Sequence, residues 1–446
     1  MTTSRIHYDS VALLSVSSEK PREIAVRALQ RHEESTDYIE NILEDELRRA
    51  SIAALDRRLV EELTFGVVRW KATLDWLIDH KASGRRQKPA LRILLRLGLY
   101  QIFWLTRIPD HAAVHETVEL AKRLGFGPQS GFINAVIRAY VREKEETKRL
   151  VDNLRETKPA IGYSHPEWLV ERWAKRWDKR ELLPLLEWDN TPARVFARVN
   201  TLATDAAHLI TQWRAEGVEY DFFQRDWTGE NLIFELKSFP SLKTLPSFGQ
   251  GKFYVQDPST LLAVRELNPQ PGERVLDLCA APGGKTTFIA QEMDNRGQIV
   301  AEDASNDRLN LVRENCVRLG VKCVETVLPP IAETQPRPLF DRVLVDAPCS
   351  NTGVMRRRVD LRWRIRWQEI ERLQKEQGKL LAVAAARVRQ GGILVYSTCS
   401  LETEENEEVV RTFLKGSPGF QLESERELLP FRDGVDGAYI ARLSRK

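Results

Sequence analysis

Three textures along one chain predict a multidomain protein: an all-α helical bundle, then a small α/β module, then a Rossmann-like α/β domain built on a doubly wound parallel sheet. The first texture is a long run with apolar residues at three- and four-residue steps. The second mixes helix-like and strand-like segments. The third, from Pro271 onward, alternates short apolar runs with helix-patterned segments, which is the mark of a parallel sheet covered on both faces. A length of 446 residues already exceeds what one ordinary core organises.

The bundle is assigned to residues 1–150. Ile24, Ala28, Ile39, Leu43, Leu47, Leu59, Leu63, Val67, Leu74 and Leu77 repeat at helical spacing with charges between them. Pro89 stands where a helix begins, and the run from His111 to Leu124 stops at Gly125. Arg142 to Lys158 has many charges and few apolar residues, so it reads as a linker or a solvated helix. The module is assigned to residues 160–255, with strands at Arg194–Asn200 and Asn231–Leu236 and a helix at Leu202–Glu216, an RRM-like pattern. Its Trp168, Trp173, Trp177 and Trp188 read as core residues first and as base-stacking candidates second. Residues 256–446 carry strand candidates at Arg274–Leu278, Gln298–Glu302, Lys322–Val327, Arg342–Asp346 and Gly392–Ser397. Two further strands flank the turn Gly434-Val-Asp-Gly437, which predicts a hairpin on one sheet edge.

Composition narrows the function. Hydrophobic residues make up 42% and charged residues 29%, and the apolar run Ile93–Leu105 is interrupted by Arg96 and Gln101, so no membrane span is expected. Met1 to Lys20 reads as a polar arm without a secretory leader. Five cysteines, none in C-x-x-C spacing, suggest neither a disulfide framework nor a metal site, and point to reduced thiols in a cytoplasm. A net charge of +3 carries no message about nucleic acid, whereas local bunching of arginines does.

The segment Val275-Leu-Asp-Leu-Cys-Ala-Ala-Pro-Gly-Gly-Lys-Thr-Thr287 runs from a buried strand through a small-residue loop into a helix. In an open parallel sheet this loop lies at the carboxyl ends of the strands, where ligands bind. Gly283 and Gly284 let backbone approach a ligand, and the helix behind them offers free N–H groups. Asp303 ends the next strand, the place from which an acid grips ribose hydroxyls, so a nucleoside-containing cofactor is expected. A phosphate-binding loop is the rival reading, because Gly284-Lys285-Thr286 and the acid of Val343-Leu-Val-Asp346 imitate one; Cys279 occupies the position of its first glycine.

Two more strands run into cysteine-bearing loops, Asp346-Ala-Pro-Cys349-Ser and Ser397-Thr-Cys399-Ser, at the same edge as the cofactor loop. Cys316 and Cys323 read as inert core residues, but the polar surroundings of Cys349 and Cys399 do not. A thiolate is what cytosine methylation needs. Carbon 5 is a poor nucleophile until a thiolate adds to carbon 6 and leaves an enamine. Asp346 is placed to hydrogen-bond the ring N3 and amino edge, and Cys349 is the candidate for assisting release of the sulfur.

Cys279-Ala280-Ala281-Pro282-Gly283-Gly284-Lys285-Thr, Asp346-Ala-Pro-Cys349-Ser-Asn-Thr-Gly-Val, and Tyr-Ser-Thr-Cys399-Ser followed by Glu404-Glu405-Asn406 resemble the signature segments of the NOL/NOP2/Sun type of RNA cytosine-5 methyltransferases. The resemblance covers Gln256 to the C-terminus, and the helical first domain is similar to the NusB-like extension of the bacterial 16S rRNA branch, RsmB/Sun. It implies a class I S-adenosyl-L-methionine-dependent domain acting on 16S rRNA or a small-subunit assembly intermediate, and a monomer. It further implies Cys399 as nucleophile, Cys349 in product release, Cys279 to Lys285 around the methionine end of the cofactor, Asp303 at its ribose and Asp346 at the reacting base. One departure stands out: after the third strand the family places an acid near the adenine, but this chain reads Thr326-Val-Leu-Pro, leaving Glu325 or Glu333 as substitutes. A second class of function is an RNA-binding scaffold or inactive paralogue.

Arg356 to Trp367 holds six arginines and two tryptophans directly after the Cys349 loop, which suits phosphate neutralisation and base stacking. Arg85-Arg-Gln-Lys88 is a second candidate phosphate contact. The target base must leave its stack to reach a cysteine in a cleft, so a single-stranded or flipped nucleotide is expected.

Overall fold

The computed structural model describes residues 20–50, 52–82, 87–329 and 338–446. The chain divides into two compact units, one through Glu171 and one from Arg172 to Lys446. The α/β module and the parallel-sheet domain share the second.

Among its described residues, the first unit forms helices and no strand. Helices Pro21–Glu34, Ile39–Arg49, Ala54–Arg69, Lys71–Lys81, Asp110–Arg123 and Ser130–Arg142 accompany a central helix, Pro89–Trp104, that is buried almost continuously from Leu91 to Ile102. Pro89 opens that helix, and Gly125 adopts a positive φ two residues after the helix Asp110–Arg123. A buried helix cannot leave Arg96 unpaired, and its guanidinium donates to Asp75 at 2.7 Å and to Glu33 at 2.5 Å. Arg142 to Lys158 is no linker. It forms the helix Lys144–Thr157, which buries Thr147, Val151 and Leu154 along one face while its charges face outward. Arg85 and Arg86 lie outside the described residues.

The second unit contains two sheets. Strands β1 (Val195–Val199), β2 (Glu219–Phe223), β3 (Ile233–Ser238) and β4 (Phe253–Val255) form an antiparallel sheet in the order β2-β3-β1-β4. The other sheet comprises β5 (Arg274–Leu278), β6 (Gln298–Glu302), β7 (Val324–Val327), β8 (Phe340–Asp346), β9 (Val388–Thr398), β10 (Phe420–Leu428) and β11 (Ala438–Arg445). Its order is β10-β11-β9-β8-β5-β6-β7; β5 to β9 are parallel, and the β10–β11 hairpin is antiparallel on one edge. Order reverses around β5, so the loops after β5, β8 and β9 open at one switch point.

The antiparallel sheet is fastened to the parallel-sheet domain by buried polar contacts. Asn200 donates to the carbonyls of Gly251 and Leu319, both at 2.8 Å, and Arg318 donates to those of Phe248 and Phe253. Gly251 has a positive φ, and a Cβ there would fall 1.8 Å from the Arg318 carbonyl oxygen. Trp173 and Trp177 pack edge to face as core, and Trp188 lies under the Arg356 guanidinium 4.0 Å away.

Close approach governs the helical unit too. Gly66 lies where an added Cβ would meet the buried Tyr100 ring at 1.9 Å. Gly66→Ala should therefore lower stability by about 1–3 kcal/mol in urea unfolding, despite the better helix propensity of alanine. Unchanged or raised stability would show that the helix Ala54–Arg69 does not pack on Tyr100 as described.

Candidate active site

A cavity of about 470 Å³ opens where the loops after β5, β8 and β9 converge. The loop after β5 forms one wall. Cys279 takes a left-handed φ of 63°, unusual for a side-chain-bearing residue, and the Ala281–Pro282 peptide is cis. Gly283 has a φ of 99° and precedes the helix Gly284–Glu292; a Cβ on Gly284 would press on the Tyr254 ring at 3.1 Å, so a side chain there is disfavoured. Cys279, Ala280, Ala281, Pro282, Gly284 and Lys285 all line it.

Three carboxylates crowd this end. Asp277 is wholly buried; one oxygen accepts from Thr286 at 2.6 Å and the other has no partner. Burial pushes its pKa up to about 7, opposed by the Thr286 bond and reinforced by Asp346 and Asp303. Asp303 follows β6, is nearly buried, and accepts from the Ala281 N–H at 3.2 Å and the Ser305 N–H at 3.3 Å. Asp346, at the end of β8, accepts from Lys285 at 2.7 Å and from Ser397 at 2.9 Å. Burial alone would lower the Lys285 pKa, but the attraction and hydrogen bond of Asp346 hold it above the ordinary lysine value. Lys285, which a phosphate loop would extend to a nucleotide, is thus engaged by an acid. Burial and these carboxylates raise the Cys279 thiol to about 12, so it is a neutral wall residue.

The two cysteine loops meet here. The sulfurs of Cys349 and Cys399 are 3.3 Å apart. Cys399 lines the cavity, and its sulfur lies 3.0 Å from Asn351 Oδ1; Cys349 sits behind it, buried. The hydrogen bond to Cys399, with burial, raises the Cys349 thiol well above its ordinary value. Asn351 has a φ of 60°, a conformation asparagine tolerates, and its amide also donates to the Cys349 carbonyl at 2.7 Å.

Other expectations are corrected. Arg356 and Arg362 are not part of a solvated basic face. Arg356 is buried and bonds Asp436 and Asp257; Arg357 bonds the same two acids; Arg362 donates to Asn190 and the Asp189 carbonyl. These side chains join the antiparallel-sheet module to the cavity floor, while Arg358 and Arg366 keep the exposed positions. Glu325 accepts from Gln298, the first residue of β6 and so at the end of the strand remote from Asp303. It does not stand at the cavity, and Glu333 lies outside the described residues. The module takes a part that nothing in the sequence announces: Phe196, Tyr254 and Val255 line the cavity beside Gln256 and Asp257 of the next segment, and Arg198 donates to the Gly284 carbonyl at 3.0 Å and Thr287 at 3.1 Å. Buried Arg198 carries no sequence signal beyond a charge inside an apolar run, and Asp257 carries none; Asp277 does, as an acid in the strand that leads into the glycine loop.

The Asp277 environment makes a signed prediction. The native carboxyl stays protonated up to about pH 7, whereas in the unfolded chain it ionises near pH 4, so this group's stabilising contribution is complete below pH 4 and is lost as pH rises toward 7. Unfolding of the free protein should show wild type losing up to about 4 kcal/mol relative to Asp277→Asn over that range. A difference that does not vary with pH would contradict the burial argument.

Comparison with known proteins follows the same division. Residues 264–444 match the family model for the 16S rRNA methyltransferase RsmB/F, residues 19–142 match the NusB family, and residues 165–226 match the ferredoxin-like domain of Methyltr_RsmF/B-like proteins. The probable ribosomal RNA small subunit methyltransferase B of Bacillus subtilis (strain 168) is 34% identical over 447 residues, spanning 95% of this chain and 98% of that protein. The ribosomal RNA small subunit methyltransferase B of Klebsiella pneumoniae subsp. pneumoniae is 33% identical over 442 residues, with shares of 95% and 98%. The crystal structure of PH0851 superposes with a TM-score of 0.76 at 26% identity, covering 96% of this chain and 99% of that one. NSun6 from Pyrococcus horikoshii with SFG superposes with a TM-score of 0.53 at 25% identity over 63% of this chain and 98% of that one. The chain belongs to the RsmB/F family of S-adenosylmethionine-dependent small-subunit rRNA methyltransferases.

Proposed function

We propose that this protein methylates carbon 5 of a cytosine in 16S rRNA, free or in an assembling small subunit, through a covalent adduct on Cys399. In this reading it acts as a monomer in the cytoplasm, with residues 1–150 and 160–255 directed to RNA and 256–446 to catalysis. The observation that carries the reading is the convergence of a glycine loop, the Lys285–Asp346 pair and a cavity-facing thiol in one 470 Å³ space.

The chemistry of the donor set suits S-adenosylmethionine. Its charged amino group matches the partnerless oxygen of buried Asp277, and Gly284, which has no side chain, lines the cavity where its methionine end would lie. Cys279, Ala280, Ala281, Pro282, Gly283, Gly284 and Lys285 would hold that end, Asp303 the ribose, and Asp346 would face the site of reaction. Bound there, the cofactor supplies an electrophilic methyl group.

The remaining work falls to the chain. The Cys399 thiolate adds to carbon 6 of the pyrimidine and makes carbon 5 nucleophilic. Asp346, fixed by Lys285 and Ser397, orients the base by accepting from its amino group, and from the N3–H that forms once the sulfur has added and N3 has taken a proton from solvent. After methylation, carbon 5 gives its proton to solvent, the electron pair left behind restores the carbon 5–carbon 6 double bond, and the carbon–sulfur bond breaks with its pair returning to Cys399 as thiolate. Cys349 retains its proton, as its raised pKa requires, and its S–H stabilises the departing thiolate 3.3 Å away.

Cys399→Ala should lower methyl transfer at least about a thousandfold, measured with labelled cofactor and rRNA. Cys349→Ala should accumulate an RNA adduct on a denaturing gel. A fully active Cys399→Ala protein, or a Cys349→Ala protein that turns over without adduct, would remove the respective role.

A further inference from the structure

One buried carboxylate beside the thiols has no part in that mechanism. Glu405 is wholly buried in the turn after Cys399 and is absent from the cavity wall. Its Oε1 accepts from the Ser350 N–H at 2.8 Å and from Gln377 Nε2 at 3.0 Å; its Oε2 accepts from the hydroxyls of Ser350 and Ser400. Ser350 directly follows Cys349, and Ser400 directly follows Cys399. Their hydroxyls lie 3.0 Å apart, and Gln377 also donates to the carbonyl of Pro348, the residue before Cys349.

The strand ladder does not extend this far. Pairing between β8 and β9 ends at Asp346 opposite Ser397, with one further bond from the Ala347 N–H to the Ser397 carbonyl. Beyond it, the Gly353 N–H to Cys399 carbonyl bond and the Leu401 N–H to Thr352 hydroxyl bond join the loops on the far side of the cysteines. Between these anchors, the four donors converging on one carboxylate join the residue next to each thiol. A buried acid is tolerable only with its donors in place, so the acid and both loops must move together.

We infer that Glu405 is a positioning residue that holds the Cys349 and Cys399 sulfurs in register, and thereby sets how fast Cys399 is released from the methylated base. The release step rests on the covalent reading above; the register does not. Glutamine can replace the acid geometrically. Its oxygen keeps both N–H donors, and its two N–H groups serve the Ser350 and Ser400 hydroxyls, which rotate to accept. Alanine keeps none of these contacts.

The test uses the full chain with rRNA and S-adenosylmethionine, following adduct formation and decay in a single turnover, with thermal melting and cofactor affinity measured alongside. Glu405→Ala should slow adduct decay about tenfold without changing cofactor affinity, and Glu405→Gln should restore it to within about threefold of wild type. Decay at the wild-type rate in folded Glu405→Ala overturns the inference; so does Glu405→Gln as slow as the alanine variant, which would make the proton and not the geometry the requirement. If Glu405→Ala does not fold, Ser400→Ala removes one bridging hydroxyl and should slow decay about threefold, and a wild-type rate overturns the inference there. Register is also read without RNA. Diamide takes two electrons and two protons from the thiols to become the hydrazine, joining Cys349 to Cys399 in a disulfide scored by peptide mass spectrometry. Glu405→Ala should slow this about tenfold, and an unchanged rate contradicts the register. Wild-type protein that forms no RNA adduct but keeps the diamide contrast would sink the covalent reading alone.

Discussion

The parallel register of β8 against β9 is the constraint on which the site depends. Asp346 pairs with Ser397, so the two strands reach the open edge of the sheet together and release their loops side by side. The consequence is chemical as well as geometric. The same pairing delivers Asp346 to Lys285 and to the Ser397 hydroxyl, and brings the sulfurs of Cys349 and Cys399 to 3.3 Å. A slip of the pairing by one residue would send alternate side chains to the opposite face and separate these groups.

Charge is distributed around that edge according to burial. Asp346 and Asp303 both press on Asp277, and each acid is answered differently: Asp277 by remaining neutral into the physiological range, Asp303 by two backbone N–H groups and Arg308, Asp346 by a lysine. The antiparallel-sheet module is part of this balance. Its Arg198 grips the first turn of the helix behind Gly283, and Asp257 with Asp436 takes up Arg356 and Arg357 beneath the cavity. A domain that could pass for an RNA-binding attachment therefore supplies part of the wall of the candidate active-site cavity.

The sheet was legible in the sequence because a strand buried on both faces must be a continuous apolar run. Arg274–Leu278 and Gln298–Glu302 emerged with the bounds read from the pattern, and the edge hairpin formed around Gly434 to Gly437. The grouping of Cys349, Cys399, Asp346 and Lys285 was legible for the same reason, since parallel strands put successive loops at one edge. Long-range pairing was not. Arg356 looked like a phosphate ligand because its acids lie far along the chain, at Asp257 and Asp436, where nothing local announces them. Glu405 is legible as part of a signature segment, but its burial is not, because it stands among the charges from Glu402 to Glu408, a stretch that resembles a solvated face. The two strands β2 and β4 escaped notice because one alternates weakly and the other is only three residues long.

The central claim, that the thiol at 399 bonds to the pyrimidine, is most directly tested by replacing the substrate hydrogen that must depart. An rRNA fragment carrying 5-fluorocytidine cannot lose its carbon-5 substituent as a proton, so addition proceeds and elimination stops. Digestion and mass spectrometry of the denatured complex should find the methylated fluorinated nucleotide joined to the peptide containing Cys399. A nucleotide attached at Cys349 instead, or methylation of ordinary cytosine-containing RNA with no fluorinated complex at all, would contradict the account.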